Sequence, residues 1–289
     1  IKILASYPNK CAIKRVNTSN WNVSKVITLK NCFCKCPLTN LDVSNWDTSN
    51  VITLKHCFYR CPLTSLDVSN WNTSKIISLS HCFGYTSLKS LDLSNWDTSN
   101  VENLEGCFMS CGALIQLAIA NWTTSKVFNM RDCFYDCRSL TSLDLSNWDT
   151  SKVRNMNHCF SHCKELCNLD LTSWNTSSVI DMSDCFSKCA SLRSLDLSSW
   201  NISNVYTLDQ CFAGCTDLKS LDLSSWDTSK VVNMSSCFAG CTSLIYLNIE
   251  NWIIKNRCFI DHIFDRCNNL SIIKCRLDTF EKLMNNEWR

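Results

Sequence analysis

Glycine and proline are scarce in this chain of 289 residues, which contains 5 Gly and 3 Pro. Glycine-rich phosphate-binding loops are absent, and turns must be built from other residues. No apolar run approaches the roughly 18 to 20 residues of a membrane-spanning helix. The first residues, Ile1-Lys2-Ile3-Leu4, do not form a signal peptide. The sequence therefore predicts no membrane insertion in this segment.

An excess of charge of either sign is also missing. Lys and Arg total 28 against 26 Asp and Glu, a formal net charge of +2. This balance gives no electrostatic footprint for nucleic acid and no polybasic segment for an anionic membrane. Apolar residues make up 45% of the chain and aromatic residues 10%, which is enough for a core and excludes intrinsic disorder.

Tryptophan recurs at intervals of 25 and then 26 residues. The column consists of Trp21, Trp46, Trp71, Trp96, Trp122, Trp148, Trp174, Trp200, Trp226 and Trp252. A fixed period of this length is typical of a solenoid, in which each copy of the repeat contacts its neighbours. The sequence predicts one solenoid of about ten coils.

Each copy contains a short segment of alternating apolar and polar residues, such as Leu91-Asp92-Leu93, which indicates a strand. The preceding Leu completes the L-x-x-L-x-L pattern of leucine-rich repeats. After Trp comes D/N-T-S, which supplies turn chemistry without Gly or Pro. A Leu or Met and two Cys then follow at i, i+3 and i+7, one face of a short helical turn. The predicted fold is a right-handed leucine-rich-repeat-like solenoid with a parallel β-sheet on one face and short helical turns on the other.

The two ends of the chain differ. Ile1 and Leu4 align with Val26 and Leu29, so the chain begins in mid-coil, and an uncapped solenoid end exposes core. We therefore expect a fragment, a processed product or self-association through this end. After Trp252 the repeat weakens. An amphipathic stretch from Asp278 with Leu283, Met284 and Trp288 predicts a capping helix. The predicted organisation is a single solenoid over 1–267 and a capping segment over 268–289.

The repeat resembles that of the BspA-like leucine-rich-repeat surface proteins, whose units read roughly S-L-x-x-L-D-L-S-x-[FW]-D-T-S-x-V-x-x-M. Residues 142–152, SLDLSNWDTSK, carry the motif, and the resemblance covers about residues 12–267. Where that family commonly has Met before Phe, this chain has Cys. The resemblance implies a cell-surface or secreted protein of bacteria or some protists, implicated in adhesion and without enzymatic activity. It carries no binding residues across.

Cysteine, with 23 residues, forms two columns. The first consists of Cys32, Cys57, Cys82, Cys107, Cys133, Cys159, Cys185, Cys211 and Cys237, and the second of Cys36, Cys61, Cys111, Cys137, Cys163, Cys189, Cys215, Cys241 and Cys267. Disulfides within a coil (Cys57 to Cys61), forward (Cys82 to Cys111) or backward (Cys36 to Cys57) all have Cα separations of roughly 5 to 6 Å. Packed free thiols remain open beside these three pairing rules.

Cys, His and Asp side chains are the candidate ligands for a metal ion or other cation. Cys32-x-Cys34-x-Cys36 lacks the C-x₂-C spacing of common zinc sites, so no metal or cofactor is predicted there. Outward carboxylates recur on the strands at Asp42, Asp67, Asp92, Asp144, Asp170, Asp196 and Asp222. Stacked about 5 Å apart, they repel one another. Calcium bridging and a solvated, hydrogen-bonded polar face are the alternatives.

One coil interrupts the acidic column, since Gln116, Ala118 and Ala120 occupy its outward positions. This less charged band is a candidate interaction site, and degeneration of the repeat is its alternative. No catalytic constellation emerges, because each candidate nucleophile is one of about ten equivalents. We expect an extracellular or cell-surface protein that binds a protein or glycan. The alternatives are an end-to-end filament or surface layer, and an intracellular scaffold if the cysteines are reduced.

Overall fold

The computed structural model describes residues 11–287, and within the last helix it describes side chains up to residue 284. The chain is a stack of coils related by the sequence period. The regular elements are β1 (Ser90–Asp92), β2 (Gln116–Ala118), β3 (Ser142–Leu143), β4 (Asn168–Leu169), β5 (Ser220–Asp222), β6 (Tyr246–Asn248), β7 (Ile272–Lys274) and α1 (Leu277–Glu287). The predicted leucine-rich-repeat-like solenoid is confirmed.

The predicted strands are short and form three parallel sheets rather than one. The strand orders are β1-β2, β3-β4 and β5-β6-β7. The register follows the repeat, with Leu91 opposite Leu117 and Leu221 opposite Leu247. The Leu side chains face inward and the Asp side chains outward, as predicted. β1 and β5 stop at Asp92 and Asp222. The carboxylate of each Asp accepts the N–H two residues later, from Ser94 and Ser224 at 2.9 Å, and this local turn ends the strand.

The longest ladder lies on another side of the coil, where the sequence predicted no strand. Isolated parallel bridges run from Thr28 through every coil to Phe259. Each coil contributes two backbone bonds here. The N–H of Leu29 donates to the carbonyl of Thr53 (3.1 Å), and the N–H of Ile52 donates to the carbonyl of Ile27 (2.8 Å). This bridge column links ten coils, whereas the Leu-Asp-Leu strands link two or three.

Consecutive β-turns take the place of the expected helical turns. The N–H of Cys36 reaches the carbonyl of Phe33 (3.1 Å), and Asn31 (φ 59°) and Lys35 (φ 58°) are left-handed. The intervening N–H groups leave the coil, as that of Phe33 does to the carbonyl of Cys57 (2.8 Å). A helix would keep these donors within its own coil. The turns instead hydrogen-bond neighbouring coils together.

The core consists of stacked columns. Successive Trp rings lie 5.9 to 6.5 Å apart between centroids, and the adjacent Phe rings from Phe33 to Phe264 lie 5.5 to 5.9 Å apart. The indole N–H of Trp71 donates to the carbonyl of Val43 in the preceding coil (3.0 Å). Such columns bury apolar area in every coil, which stabilises the stack without a central globular core.

The cysteines contribute mainly as packed thiols. Cys11 and Cys36, which occupy equivalent positions in neighbouring coils, form a disulfide with Cα atoms 4.7 Å apart, and no second disulfide joins the other described cysteines. Second-column thiols donate to the preceding coil, as Cys137 does to the carbonyl of Phe108 (3.1 Å). None of the three pairing rules describes this arrangement. The sulfurs already have backbone acceptors and fill space between coils, as small apolar side chains do.

The last coil is covered by α1, within the predicted capping segment. Leu283 is buried, and the hydroxyl of Thr279 donates to the carbonyl of Trp252 (2.8 Å). β7 also lies in this segment and continues the sheet of β5 and β6. The predicted mid-coil start at Ile1 and Leu4, and the role of Trp288, lie outside the described residues. The division at residue 267 stays a prediction.

Candidate interaction surfaces

The strand face presents the predicted column of Asp side chains, all exposed. Asp42 accepts the backbone N–H (3.1 Å) and the hydroxyl (2.7 Å) of Ser44, and Asp196 does the same with Ser198 at 3.0 and 2.7 Å. These turns orient the carboxylates in a row. They also show how Asp and Ser make turns where glycine and proline are scarce.

Hydrogen bonding keeps this column ionised. The hydroxyl and then the N–H of Ser44 lower the pKa of Asp42 below its ordinary value, and the same cause acts on Asp67 through Ser69. The neighbouring charge of Asp42 opposes this by raising the pKa of Asp67. Because hydrogen bonds to the charged form outweigh that repulsion, the face is acidic at neutral pH. Calcium bridging and a solvated, hydrogen-bonded face stay alternatives, and melting with and without calcium distinguishes them.

Shallow grooves separate the carboxylates. One groove, of about 720 Å³, contains Asp144, Asp170 and Asp196, and another of about 390 Å³ lies between Asp196 and Asp222. Hydroxyl and carboxylate groups line both grooves. This arrangement offers hydrogen-bond acceptors to a ligand but no enclosed pocket.

The predicted neutral band lies on the same face. Gln116 and Ala118 are outward and exposed on β2, and Ala120 is half-buried. Leu117 between them is also only partly buried. The band therefore interrupts the acidic column over a single coil, and its role in binding stays a prediction.

A second outward surface follows the bridge column and was missed from the sequence. We call it the ladder face and define it by two outward residues per coil, at the positions of Lys25 and Ile27. The second position is mostly apolar and 39 to 60% exposed, at Ile27, Ile52, Ile77, Phe128, Ile180, Tyr206 and Val232. Backbone bonds such as the N–H of Ile77 to the carbonyl of Ile52 (2.9 Å) stack these residues. With about 4.8 Å per coil, the column is about 40 Å long.

The first position of the ladder face alternates mainly between Lys and Asn. Lys75 donates to Asn50 (2.9 Å) and Lys126 to Asn100 (2.5 Å). At two consecutive coils the position is Lys, and there Lys126, Lys152, Arg154, Phe128 and Ser178 surround an opening of about 360 Å³. We call this opening the basic notch. Repetition hid the notch from the sequence analysis. The first position is Lys, Asn or Ser, and the second position departs from an apolar residue between Ile27 and Val232 only at Glu102 and Arg154.

The β-turns around the cysteine columns carry a cluster of imidazole and phenol rings. His56 and His81 stack with centroids 4.8 Å apart, and the guanidinium of Arg60 lies over the rings of Tyr59 and Tyr85 at 5.4 and 4.8 Å. Burial, and then the charge of His81, lower the pKa of His56 to about 4. The cluster is a packed ridge of left-handed residues in which a protonated imidazole is disfavoured.

The cysteine columns do not form a reactive site. Burial raises the pKa of Cys32 to about 12 and that of Cys163 to about 12, so both are protonated at neutral pH and poor nucleophiles. Within residues 11–287 no group of three or more His, Cys, Asp or Glu side chains is placed to hold a metal ion. The same part of the chain contains no helix of sufficient length and apolarity to cross a membrane.

Several solved structures resemble this chain. A leucine-rich repeat protein from Bacteroides ovatus is 18% identical over 86% of this chain and 76% of its own length, with a TM-score of 0.38. A leucine-rich cell surface protein from Faecalibacterium prausnitzii is 17% identical over 90% and 80%, with a TM-score of 0.37. The functional domain of InlJ from Listeria monocytogenes, which includes a cysteine ladder, is 15% identical over 92% and 61%, with a TM-score of 0.26.

No curated protein sequence matches this chain. A family model, in contrast, matches nearly all of it, over residues 4–90, 77–195 and 181–281. Those three matches follow one another through the whole stack of coils, as expected when a family is defined by the repeat itself. The chain belongs to the family described as Mycoplasma protein of unknown function, DUF285.

Proposed function

We propose that this chain is a non-enzymatic BspA-like leucine-rich-repeat protein, secreted or held at the cell surface, which mediates adhesion by binding a protein or glycan. The ladder face carries the proposal. It presents the same two outward positions on successive coils over about 40 Å. A partner that follows the stack can make many equivalent contacts, which is how solenoids use their extended surfaces.

The surface location is supported by the sequence resemblance and by the disulfide between Cys11 and Cys36. Disulfides persist in oxidising compartments and are rare in the cytosol. The free thiols do not oppose this, since most are buried and protected by their raised pKa values. An intracellular scaffold is the contrasting reading, and it predicts that Cys11 and Cys36 are reduced in cells.

A binding role is favoured over catalysis because the nucleophilic side chains recur in equivalent surroundings. Cys133, Cys159 and Cys185, for example, are all fully buried, and burial raises the pKa of each. An active site instead gathers different groups at one place. A head-to-tail filament is less favoured, because α1 covers the last coil and a stacked copy would displace Leu283.

Labelling of cells with an antibody against the solenoid tests the location. We expect equal labelling of intact and permeabilised cells and loss of the signal after brief surface proteolysis, with a cytosolic protein as the control. Deletion of the gene should lower attachment to a surface coated with matrix protein or glycan, and re-expression should restore it. Labelling that requires permeabilisation would contradict the proposal and support the intracellular scaffold.

A further inference from the structure

The ladder face carries a net positive charge. From Lys25 to Val232 its outward positions hold five lysines and one arginine against one acid, Glu102. The cations are Lys25, Lys75, Lys126, Lys152, Lys230 and Arg154. The adjacent bridge column contains one acid, Asp181. Its carboxylate accepts the N–H of Ser183 (2.9 Å). Since the strand face is acidic, this excess is a property of one side of the coil and not of the near-neutral chain.

Positive charge is densest at the basic notch. Lys126 and Lys152 lie on adjacent coils, and Arg154 replaces the apolar residue found at most equivalent positions. In the described coils the side chains of Lys152 and Arg154 make no hydrogen bond or ion pair, and Lys152 only lowers the pKa of Asp149 through space. Two exposed cations beside an opening of about 360 Å³ attract an anionic group of a ligand.

Exposed rings accompany these cations. The side chain of Phe128 is 44% exposed and lines the notch together with Arg154. Tyr206, three coils further along, is 52% exposed in the same column. A ring with one free face packs against the C–H face of a sugar, while neighbouring Lys and Asn side chains supply hydrogen-bond donors.

The shape of the surface favours a polymer over a folded protein. The apolar column is one residue wide, with Lys and Asn on one side and the polar bridge column of Thr28 and Asn129 on the other. A protein interface usually has a fully buried apolar centre surrounded by a polar rim, which one column of side chains is too narrow to provide. A narrow row of outward residues about 40 Å long with a net positive charge fits an extended polyanion.

We propose that the ladder face binds an anionic polysaccharide. Carboxylate or sulfate groups pair with Lys126, Lys152 and Arg154, and a sugar ring packs on Phe128. This inference rests on the proposed function, because it names the class of glycan that the surface binds. The two can fail separately. Cell labelling decides the location, whereas the binding of purified protein decides the ligand.

The test measures binding of the purified chain to four immobilised polymers by biolayer interferometry. Dextran sulfate and polygalacturonate separate sulfate from carboxylate recognition, neutral dextran lacks the charge, and poly-L-glutamate lacks the sugar. We expect binding to at least one of the first two, weakened by added salt as counterions compete. Binding to neutral dextran as tight as to the polyanions would overturn the inference. Tighter binding to poly-L-glutamate than to both would also overturn it, by indicating an acidic protein partner.

A double variant, Lys152→Ser with Arg154→Ile, removes the notch cations. Both replacements are the residues of the next coil, Ser178 and Ile180, so the repeat accommodates them. The matched control, Arg193→Thr with Lys219→Thr, removes the same charge from exposed positions near the strand face, where Thr141 is the equivalent residue. We expect about 10-fold weaker polysaccharide binding for the first and less than about 2-fold for the second. Equal losses would mean that only net charge matters and would overturn the site.

Phe128→Ile tests the ring separately, since Ile27 occupies the same position. We expect about 3-fold weaker polysaccharide binding with any poly-L-glutamate binding unchanged. Circular dichroism and melting verify that each variant is folded, and the single change Arg154→Ile replaces the double variant if that one melts early. Unchanged polysaccharide affinity in the folded notch variants would overturn the proposal.

Discussion

The imidazole of His81 fills the space that a side chain at Gly106 would occupy. A Cβ built on Gly106 would collide with Nδ1 of that ring. Gly106 is left-handed (φ 56°), but so are Asn31 (φ 59°) and Asp132 (φ 54°) at the equivalent position of other coils. The backbone therefore tolerates a side chain here, and the neighbouring ring excludes it.

Gly106→Asn should destabilise the solenoid by about 1 to 3 kcal/mol through overpacking. The companion change His81→Asn replaces the imidazole with Asn, the residue that Asn31 provides at the equivalent position. The smaller side chain leaves room for a side chain at position 106. In the double variant most of the loss should be recovered, giving a coupling of about 1 kcal/mol or more in urea unfolding. Additive effects would show that the backbone, and not the ring, requires glycine.

The stacked pair of His56 and His81 predicts a pH dependence of stability. Because the folded pKa of His56 is lowered to about 4 from 6.5, the unfolded chain binds a proton between these values that the folded chain does not. Stability contributed by neutral His56 is therefore present above pH 6.5 and is lost as the pH falls toward 4.

His56→Asn should flatten this dependence. The urea midpoint of the wild type should fall more than that of the variant between pH 7 and pH 5, whereas between pH 7 and pH 8 both should change alike. Burial raises the pKa values of Asp132 and Asp184, which makes the folded state more stable as the pH falls and opposes the effect of His56. Both proteins contain these two residues, so their contribution cancels when the wild type is compared with the variant. Parallel curves down to pH 5 would rule out His56 as the source.

The repeat allowed the buried columns to be predicted from the sequence. The β-turns and the ladder face became visible only in the structure. Trp148, Leu145 and Cys159 recur with one period and are buried, as expected from their spacing. The β-turns escaped prediction because their left-handed residues include Lys35 and Tyr85 instead of glycine, and because i, i+3, i+7 spacing does not distinguish them from a helix. The ladder face was not predicted because the residue type at its second position varies from coil to coil, from Ile77 to Glu102 to Phe128.

The effect of a core substitution on unfolding should depend on whether its coil lies in the middle or near the start of the stack. Phe160 stacks between Phe134 and Phe186 at 5.5 Å, so Phe160→Ala should lower the free energy of unfolding by about 3 to 5 kcal/mol. Phe33→Ala, near the start of the described stack, should mainly allow the first coils to fray. Urea unfolding and hydrogen exchange distinguish the two. Equal loss of exchange protection throughout both variants would contradict nearest-neighbour cooperativity.

The thiol inventory discriminates packed cysteines from regular disulfides. Two of the 23 cysteines are joined, so denatured, unreduced protein should react with an aromatic disulfide reagent at 21 thiols, and reduced protein at 23. The native protein should react rapidly at the exposed Cys167 and slowly at buried thiols such as Cys163, whose pKa burial raises to about 12. The variant Cys11→Ser is the matched control, because it releases Cys36 and should give 22 thiols with or without reductant. A regular pairing of the columns would leave far fewer thiols before reduction, and it would require each second-column sulfur to give up its carbonyl acceptor in the preceding coil.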